Sequence, residues 1–499
     1  MIIVKKVLFE NEAIFWWFRE FTDLKVYYRI YLDGEFFKKT DKTHVRIDGL
    51  TPLTNYEMMV EAVGENGEVL SANRETFTTP AEKRIIDVTK EPYFAVGDGK
   101  AINTAALQKA LDDCREGDKI FFPAGVYMTG ALNLHSNMEI YLSPEAVLQG
   151  TENAADYLPK IKSRFEGIEQ LCYSSLLNIG ELDHKQGANC RNIIIRGGGT
   201  ISGGGRKLAE NIIETEKKNG VADREKSIGC DNENTVYGRS RPRLINVSNA
   251  ENVVIADLLL QHGPSWNVHM IYSNNIVTFG CSFHSENVWN GDGWDPDSSE
   301  DCTIFACSFN TGDDCIAIKS GKNPEGNKIA RSTRNVDIFD CKSVYGHGVA
   351  IGSEVSGGVE NVRIWDCDFK DSWTGITLKS HKKRGGYIRN ISVSNSEFSG
   401  VLIVGSVWYN QDGKSAPTIT CFENFTFDNI FLTGKCYSAK KERYCIPPVD
   451  IRGYEGIKDN FRNIRFKNIY LQKHSVEEAR EMSIKDVDDV IFENVVFIE

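Results

Sequence analysis

The sequence of 499 residues lacks several features that mark whole classes of protein. It has no apolar run of about 18 residues, so no membrane-spanning helix is expected. It has fewer basic than acidic residues, 58 against 70, which argues against a general nucleic-acid or membrane-surface binder. Its first residues contain no apolar stretch followed by a small-residue cleavage site, so we expect no signal peptide and a cytoplasmic location. A secreted protein whose leader had been removed would look the same.

The cysteines lack the spacing of a metal site. There are 13 of them, an odd number that fits no closed set of disulfides, and no pair of Cys-x-x-Cys motifs suggests zinc. We therefore expect reduced, buried thiols that pack as small hydrophobic groups. No metal and no cofactor is predicted.

An internal repeat is the strongest pattern that is present. Each copy begins with Asn or Asp and continues as a short stretch of alternating apolar residues. Most neighbouring copies begin 23 to 39 residues apart. The copies begin at Asn192, Asn252, Asn275, Asp301, Asn335, Asn361, Asn390, Asn424, Asn463 and Asp489.

Strands that recur at such intervals, with almost no helix between them, predict an all-β chain wound as a parallel β-helix. Each coil would bury its inward side chains on the next coil, about 4.8 Å away. Cys281, Cys307, Cys341 and Cys367 hold the same phase of successive repeats, so we expect them to form an internal ladder. The alternative is a β-sandwich, which requires hairpin turns every 8–12 residues or so, and the repeats lack them.

Residues 1–80 follow another pattern and are predicted to form a small, separate β-sandwich. Short strands surround a hairpin turn at Asp33–Gly34. The segment Leu50–Tyr56 resembles the fibronectin type III signature, in which the tyrosine makes a tyrosine corner. This domain would be a spacer or partner module, or alternatively a wall at one end of a substrate groove. Thr78–Lys83 is interpreted as the linker, and residues 81–499 as the β-helix domain.

One amphipathic helix is predicted at the start of the second domain, over about 104–115. Leu107, Ala110 and Leu111 follow helical spacing there, and Asn103 or the residue after it can cap the helix. Such a helix would cover the open end of the β-helix, which otherwise exposes strand edges and core.

Acidic residues concentrate in two glycine-containing segments, 290–296 and 312–315. Asp292 lies about one predicted coil before Asp313 and Asp314, so the three carboxyls are expected on adjacent coils of one face. Carboxylates this close cannot all stay ionised, so one should have a raised pKa and remain protonated near neutral pH. A protonated acid beside ionised carboxylates is the arrangement that hydrolyses glycosidic bonds.

Two further groups follow on the same face, His347 in Gly-His-Gly and Lys379 in Thr-Leu-Lys. Taken singly, each of these motifs is typical of a solvated loop or a turn, but four of them in phase with the repeat make coincidence a poor explanation. A calcium site is an alternative use of the acidic residues. It would be formed by Asp292, Asp295, Asp297 and Asp301.

From about residue 85 to the end, the sequence resembles the polygalacturonase family of glycoside hydrolases, family 28. The resemblance rests on Asn-x-Asp, Gly-Asp-Asp and Gly-His-Gly and on the segments 96–100, 108–114, 122–130, 241–245 and 264–269. It implies a right-handed parallel β-helix that cleaves pectin with inversion of configuration. The expected partner is therefore a galacturonate-containing poly- or oligosaccharide, and the sequence does not predict an oligomeric state.

The resemblance also implies roles for individual residues. Asp313 corresponds to the general acid, and Asp292 and Asp314 to the pair that activates water. His347 corresponds to the group that holds the protonation and hydrogen bonding of the acid. The implied substrate-binding residues are Asn290 and Lys379.

One position departs from the family, because Thr377 stands where an arginine is usual in Arg-Ile-Lys. That arginine clamps a galacturonate carboxylate with two hydrogen bonds, which lysine cannot copy. Either other cations compensate, with Arg241 and Arg384 predicted to bind substrate, or the sugar is not plain galacturonate. Rhamnogalacturonan or a substituted galacturonan is then the alternative substrate. The further cations available are Arg239, Arg243, Lys382 and Lys383.

Insertions at about 150–190 and 203–240, the extra N-terminal domain and the missing export signal favour exo action on short oligosaccharides. Two other classes of protein stay open at this point. A polysaccharide lyase on a similar β-helix would need calcium or an Arg or Lys base. A non-catalytic carbohydrate-binding β-helix should lack the three aspartates.

Overall fold

The computed structural model describes residues 2–22, 25–220, 238–408, 413–437, 442–457, 459–475, 478 and 480–499. The chain divides into two compact units, Met1–Ile85 and Ile86–Glu499, a few residues after the boundary predicted at residue 80. None of the helices in these ranges is both long and apolar enough to span a bilayer.

The first unit is a small β-sandwich, as predicted. Its described residues form an antiparallel sheet of Val4–Leu8, Glu12–Trp17 and His44–Asp48 and another of Tyr27–Leu32, Glu35–Thr40, Asn55–Val63 and Val69–Thr78. The inner faces share one core, in which the rings of Trp17 and Tyr28 meet edge to face at 5.0 Å. The backbone N–H of Thr51 donates to Tyr56 Oη at 3.0 Å, the contact expected of a tyrosine corner. The fibronectin type III resemblance itself stays a prediction.

The second unit is a parallel β-helix, which confirms the predicted fold class. Its coils build three faces, and strands of successive coils pair in parallel. In the described part of the chain, the first face contains Arg84–Asp87, Asp118–Phe122, Met138–Leu142, Cys190–Arg196, Ala250–Ala256, Asn274–Phe279, Glu300–Phe305, Thr333–Phe339 and Val359–Trp365. The second face contains Asp98–Ile102, Gly125–Thr129, Ala146–Gly150, Thr200–Ser202, Leu259–Gln261, Ser282–His284, Ser308–Asn310, Lys342–Tyr345 and Asp368–Phe369.

The first two faces merge in the last coils, because single long strands run across both. These strands are Tyr387–Phe398, Cys421–Leu432, Phe461–Gln472 and Val490–Ile498. The third face remains separate along its whole length and positions the site described below. Within the described residues it contains Leu132–Leu134, Leu177–Ile179, Ile245–Ser248, Val268–Ile271, Trp294–Asp297, Ile316–Ile318, Val349–Ile351, Ile376–Lys379, Val401–Val404, Val449–Arg452 and Ser483–Lys485.

In the described residues, short helices and two antiparallel hairpins interrupt the coils. The helices are Thr104–Asp113, Gly205–Lys218, Glu325–Ile329 and the 3-10 turn Ala154–Tyr157. One hairpin pairs Ile161–Phe165 with Ile168–Cys172 and is called the 161–172 hairpin below. The other pairs Lys435–Tyr437 with Arg443–Cys445. Residues 221–237 of the predicted insertion at 203–240 lie outside the described residues.

The first helix, Thr104–Asp113, buries Leu107, Ala110 and Leu111 in the core of the β-helix. Asn103 is the N-cap residue, as predicted, but its side chain makes no capping hydrogen bond to the helix. Its Oδ1 instead accepts a hydrogen bond from the N–H of Val96 at 2.7 Å. The residue therefore fixes the chain segment that enters the helix.

The predicted ladder of thiols is confirmed. Cys281, Cys307, Cys341 and Cys367 are free and buried, and the thiols of successive coils influence one another's pKa. Burial raises the pKa of Cys307, Cys341 and Cys367 well above the ordinary thiol value. These cysteines therefore act as small core groups. Cys230 lies outside the described residues.

The asparagine that opens each repeat has a backbone reason. Asn252, Asn275, Asn335 and Asn361 have φ between 53° and 58°, the left-handed region that asparagine tolerates better than most residues. Their side-chain amides also bond from coil to coil: Asn361 Nδ2 donates to Asn335 Oδ1 at 3.1 Å, and Asn390 Nδ2 donates to Asn361 Oδ1 at 3.0 Å. The repeat motif thus marks one left-handed residue per coil, on an exposed asparagine ladder.

Candidate active site

The predicted catalytic residues meet at one edge of the third face. Asp292, the pair Asp313 and Asp314, and His347 come directly before three successive strands of that face. Because these strands are neighbours in a parallel sheet, the residues before them lie side by side. Lys379 is the last residue of the following strand, so its side chain reaches the same region from the other edge.

A cavity of about 410 Å³ opens at this point. The predicted residues that line it are Asn290, Asp292, Asp313, Asp314, His347 and Lys379. Sequence reasoning did not single out most of the other lining residues, which are Glu166, Arg239, Trp266, Lys319, Gly352, Ser353 and Glu354. The structure therefore brings the acidic trio together in one cavity with both signs of charge.

His347 and Lys379 surround the Asp313–Asp314 pair. His347 Nδ1 lies 3.0 Å from Asp313 Oδ1 and 3.5 Å from Asp314 Oδ1. Burial alone would lower the pKa of His347, but these two carboxylates raise it to about 10, so the ring is charged at neutral pH. Lys379 Nζ donates to Asp314 Oδ2 at 3.1 Å. Burial opposes ionisation of Asp314, but Lys379 and His347 outweigh it and hold the pKa of that carboxyl well below its usual range.

Asp292 lies in a different electrostatic environment. Its side chain is almost fully buried, and Lys319 Nζ donates to its Oδ2 at 2.9 Å. Burial and the carboxylates of Asp295, Asp313 and Asp314 raise the pKa of Asp292 well above the usual value, although Lys319 opposes the shift. The expected carboxyl with a raised pKa is therefore Asp292, which the resemblance assigns to the pair that activates water.

Lys319 is the main residue that sequence reasoning missed. Its Nζ also lies 3.5 Å from Asp295 Oδ2 and 3.6 Å from the centre of the Trp266 ring. A signal for it existed, because the register of the third face places Lys319 in the same phase as Lys379. The repeat could therefore have identified it as a second outward-facing lysine near the site.

The predictions for Arg241 and Arg384 as direct substrate ligands are wrong. Arg384 is fully buried, and its Nη1 donates to Asn323 Oδ1 at 2.6 Å. Arg241 is also buried, and its Nη2 donates to Asn290 Oδ1 at 2.6 Å. The physical reason is that buried guanidinium groups are bound by protein oxygens. Arg241 therefore orients Asn290, which does line the cavity.

Of the six cations proposed to compensate for the missing arginine, Arg239 is the one that lines the cavity. Its Nε lies 3.0 Å from Glu166 Oε2, at the tip of the 161–172 hairpin. The third candidate in that segment, Arg243, is buried and donates to the backbone of Arg241 at 2.5 Å. Among these three arginines, the structure therefore favours Arg239 as the substitute for the family's missing arginine.

The 161–172 hairpin covers the third face on one side of the cavity. Arg164 within it is fully buried, and its Nη1 donates to Asp297 Oδ1 at 2.6 Å. Phe165 stacks on Trp266 with ring centres 4.9 Å apart. Beneath the hairpin, the outward side chains of three successive strands are buried. They are Asn246, His269, Asp295 and Asp297.

The opposite side of the cavity is more open. In the strand Val449–Arg452, the outward side chains of Asp450 and Arg452 keep 22% and 50% of their exposure. The third face is therefore a trough that is covered before the cavity and accessible after it.

The calcium alternative does not fit this arrangement. Asp297 is bound to Arg164, and Lys319 lies against Asp292 and Asp295. Asp301 belongs to the exposed asparagine ladder, where it accepts a hydrogen bond from Asn335 at 3.0 Å. Side-chain cations thus already compensate the carboxylates that calcium would need.

Comparison with known proteins gives concordant results. A family model described as glycosyl hydrolases family 28 matches residues 144–445. An exo-poly-alpha-D-galacturonosidase of Dickeya chrysanthemi is 28% identical over 484 residues, which cover 91% of this chain and 78% of that protein. A probable polygalacturonase of Vitis vinifera is 32% identical over 315 residues, which cover 60% of this chain and 58% of that protein.

A solved structure shows the same fold. The family 28 exopolygalacturonase of Yersinia enterocolitica matches with a TM-score of 0.82 and 24% identity, covering 100% of this chain and 97% of that chain. At this identity the match is evidence of fold alone. The family model, in contrast, spans more than half of the sequence and includes all three acidic residues of the cavity. The protein is therefore a glycoside hydrolase and belongs to family 28 of the glycosyl hydrolases.

Proposed function

We propose that this glycoside hydrolase removes sugars from one end of pectic chains, by cleaving α-1,4-galacturonosidic linkages with inversion of configuration. The observation that carries the proposal is the acidic cavity in a trough that, within the described residues, is covered by the 161–172 hairpin on one side and accessible on the other. The Dickeya chrysanthemi relative, named an exo-poly-alpha-D-galacturonosidase, supports the same substrate and the same mode of action.

The covered side of the trough is the argument for exo action. A polymer that lay across the cavity would have to pass over His269, Asp295 and Asp297, which the 161–172 hairpin buries. A chain that enters from the accessible side can place only its terminal sugars in the cavity. The hairpin therefore selects chain ends over internal linkages.

The acid is assigned by the resemblance to family 28, and the surroundings of Asp314 support its role as a base. Asp313 donates a proton to the glycosidic oxygen, with His347 at 3.0 Å holding its carboxyl in place. Asp314 is kept ionised by Lys379 and His347, so it can accept a proton from water. Asp292 completes the pair that activates water once its own proton is lost. Inversion requires water on the opposite face of the sugar from the acid, between carboxyls about 6.5–9.5 Å apart.

Binding of a uronate carboxylate calls for a cation of the cavity that does not face the acidic trio. Lys319, Lys379 and His347 are each within 3.1 Å of a carboxylate of the acidic trio. Arg239 instead faces Glu166 on the hairpin. We assign to Arg239 the contact with a substrate carboxylate that the family's usual arginine would otherwise make, and Lys379, which lines the same cavity, is the second cation assigned to substrate binding.

A galacturonan with substituents, or rhamnogalacturonan, is the second candidate substrate. The observation that favours it is Thr377, whose hydroxyl donates to Thr374 Oγ1 at 3.0 Å at the position of the family's arginine. Parallel assays on polygalacturonate, xylogalacturonan and rhamnogalacturonan oligomers, with reducing sugars measured, separate the two candidates. Faster hydrolysis of the substituted polymers would show that they, and not plain galacturonan, are the preferred substrate.

Product analysis tests the proposal directly. With long polygalacturonate we expect only short products from the first minutes, with a slow loss of viscosity, and a released sugar of inverted anomeric configuration by proton NMR. Asp313→Asn should lower kcat by roughly 10²–10⁴-fold, the usual contribution of a general acid. A ladder of intermediate lengths would contradict exo action, and near-normal turnover of the Asp313 variant would contradict the assignment of the acid.

A further inference from the structure

The environment of Lys319 indicates a function beyond packing. Its side chain keeps 5% of its exposure, yet its ammonium group lies 2.9 Å from Asp292 Oδ2 and 3.5 Å from Asp295 Oδ2. The Trp266 ring closes the site 3.6 Å from the same nitrogen. A lysine this deeply buried is expected to be held by the charges around it.

Lys319 makes the hydrogen bond that fixes Asp292. Among the described residues, Oδ1 of Asp292 has no hydrogen-bond partner, whereas Oδ2 accepts from Lys319. Removal of the ammonium group would therefore leave a buried carboxyl without the contact that sets its orientation. The backbone around it would remain, because the carbonyl of Asp292 accepts from Asn267 Nδ2 at 3.0 Å.

The charges around Asp292 make its ionised form depend on Lys319. The groups that face the two side chains from the surrounding coils are Arg241, Arg243, His269, Asp295, Asp313, Asp314, Cys315 and Glu354. Burial alone would lower the pKa of Lys319, but Asp292 and Asp295 raise it well above its ordinary value, so the ammonium stays charged. Lys319 acts in the opposite direction on Asp292 and lowers the pKa of that carboxyl.

We propose that Lys319 is a positioning residue that orients Asp292 and favours its ionised form, so that Asp292, once it has lost its proton, can accept one from the attacking water. The inference rests on the proposed function, in which Asp292 and Asp314 activate water. Lys319 itself exchanges no proton during the reaction. It stays an ammonium ion, while the proton of water passes to the carboxylate.

The test is the pH dependence of kcat/KM on an oligogalacturonate. As the pH falls, activity is lost when the base is protonated, and the kcat/KM profile reports this ionisation in the free enzyme. In Lys319→Met the acidic limb should move upward by about one pH unit or more, because an opposing charge has been removed from beside a buried carboxyl. In Lys319→Arg, which keeps the charge, the limb should stay close to that of the unmodified protein.

Lys370→Met is the matched control. Lys370 lies 2.9 Å from Asp368 and 2.6 Å from Glu397 and does not line the cavity, so its loss removes two ion pairs elsewhere. We expect its pH profile to be unchanged. Thermal unfolding of each variant shows whether it folds, and Lys319→Gln replaces the methionine variant if the latter does not.

The outcomes separate this inference from the proposed function. If the unmodified protein releases no sugar from oligogalacturonates, the proposed function fails first. If it is active and the Lys319→Met variant loses activity equally at every pH, with an unmoved acidic limb, Lys319 has only a structural role and the inference is overturned. An upward shift in Lys319→Met that is absent from Lys319→Arg and Lys370→Met supports it.

Discussion

At the scale of single residues, each carboxyl of the cavity is distinguished by its neighbouring cation. His347 lies against Asp313, Lys379 against Asp314 and Lys319 against Asp292. Three chemically equal side chains on adjacent coils thereby differ in burial and in the charge beside them. The opposite pKa shifts of Asp292 and Asp314 follow from these neighbours, because local charge and desolvation decide which carboxyl keeps a proton.

The charged state of His347 predicts how stability changes with pH. Its pKa is raised from an ordinary 6.5 to about 10 in the folded protein, so the folded state binds the proton more tightly than the unfolded state. The stability that this proton contributes is complete below pH 6.5 and is lost as the pH rises towards about 10. Thermal unfolding of the unmodified protein and of His347→Gln should differ most at pH 6 and converge at pH 10. A difference that is constant across this range would contradict the charged histidine.

Arg239 predicts a preference for a free substrate carboxyl. In Arg239→Gln, kcat/KM on oligogalacturonates should fall by roughly 10- to 100-fold, the loss of a charged hydrogen bond. On the methyl-esterified oligomer, which has no carboxylate, the same variant should lose much less. Arg239→Lys is the matched variant and should be intermediate, since lysine keeps the charge without the planar fork. Equal losses on both substrates would exclude the carboxylate contact.

At the scale of structural elements, the sequence repeat and the site share one cause. The alternating strands stack in register from coil to coil, so residues in equal phase of the repeat become neighbours. This is why the thiol ladder and the acidic trio could be predicted from spacing alone. The same rule explains the conformation of the opening asparagine, which returns in every coil at the same left-handed turn.

The asparagine ladder can be tested at Asn361. Asn361→Ala removes hydrogen bonds to Asn335 and Asn390 and puts alanine, which tolerates the left-handed region less well than asparagine, at φ of 57°. We expect the free energy of unfolding to fall by about 2 kcal/mol, from strain and lost hydrogen bonds together. Asn361→Gly loses the same bonds without the strain, so its midpoint of thermal unfolding should fall less. Equal midpoints of thermal unfolding for the two variants would show that the left-handed conformation at this position does not disfavour alanine relative to glycine.

The residues that sequence reasoning placed wrongly depend on contacts between distant segments. Arg241 and Arg384 are cationic and close in sequence to site motifs, but their carbonyl and amide partners come from other loops. No repeat phase encodes those loops. The 161–172 hairpin is a similar case, because its position over the third face is set by Arg164 and Asp297, which are far apart in the chain. Spacing thus predicts the coils and their outward rows, and the insertions that cover them require the structure.

At the scale of the whole molecule, stability rests on stacked coils, and among the described residues no covalent links join them. The twelve described cysteines are all free, and most are buried. Aromatic rings continue the same stacking, as in Phe279, Phe305, Phe339 and Trp365, whose neighbouring centres are 4.3–5.2 Å apart. Columns of like side chains therefore run along the β-helix, with the four ladder thiols in its main hydrophobic core and these four rings buried outside that core.

This organisation predicts the reactivity of the thiols. In the native protein, a thiol reagent should leave Cys281, Cys307, Cys341 and Cys367 unmodified, because they are buried and three of them have raised pKa values. The partly exposed Cys421 is the internal control and should react first. Peptide mapping by mass spectrometry before and after unfolding measures both. Rapid native modification of the four ladder cysteines would contradict their burial.

The one-sided cover over the third face has a kinetic consequence. For an enzyme that accepts only chain termini, the effective substrate concentration is the concentration of chain ends, whatever the length of each polymer. Equal masses of long and short galacturonan should then be consumed at very different speeds, in proportion to how many termini each contains. An enzyme that cleaves internal linkages of the polymer would raise the concentration of chain ends available to this protein without changing the amount of sugar present.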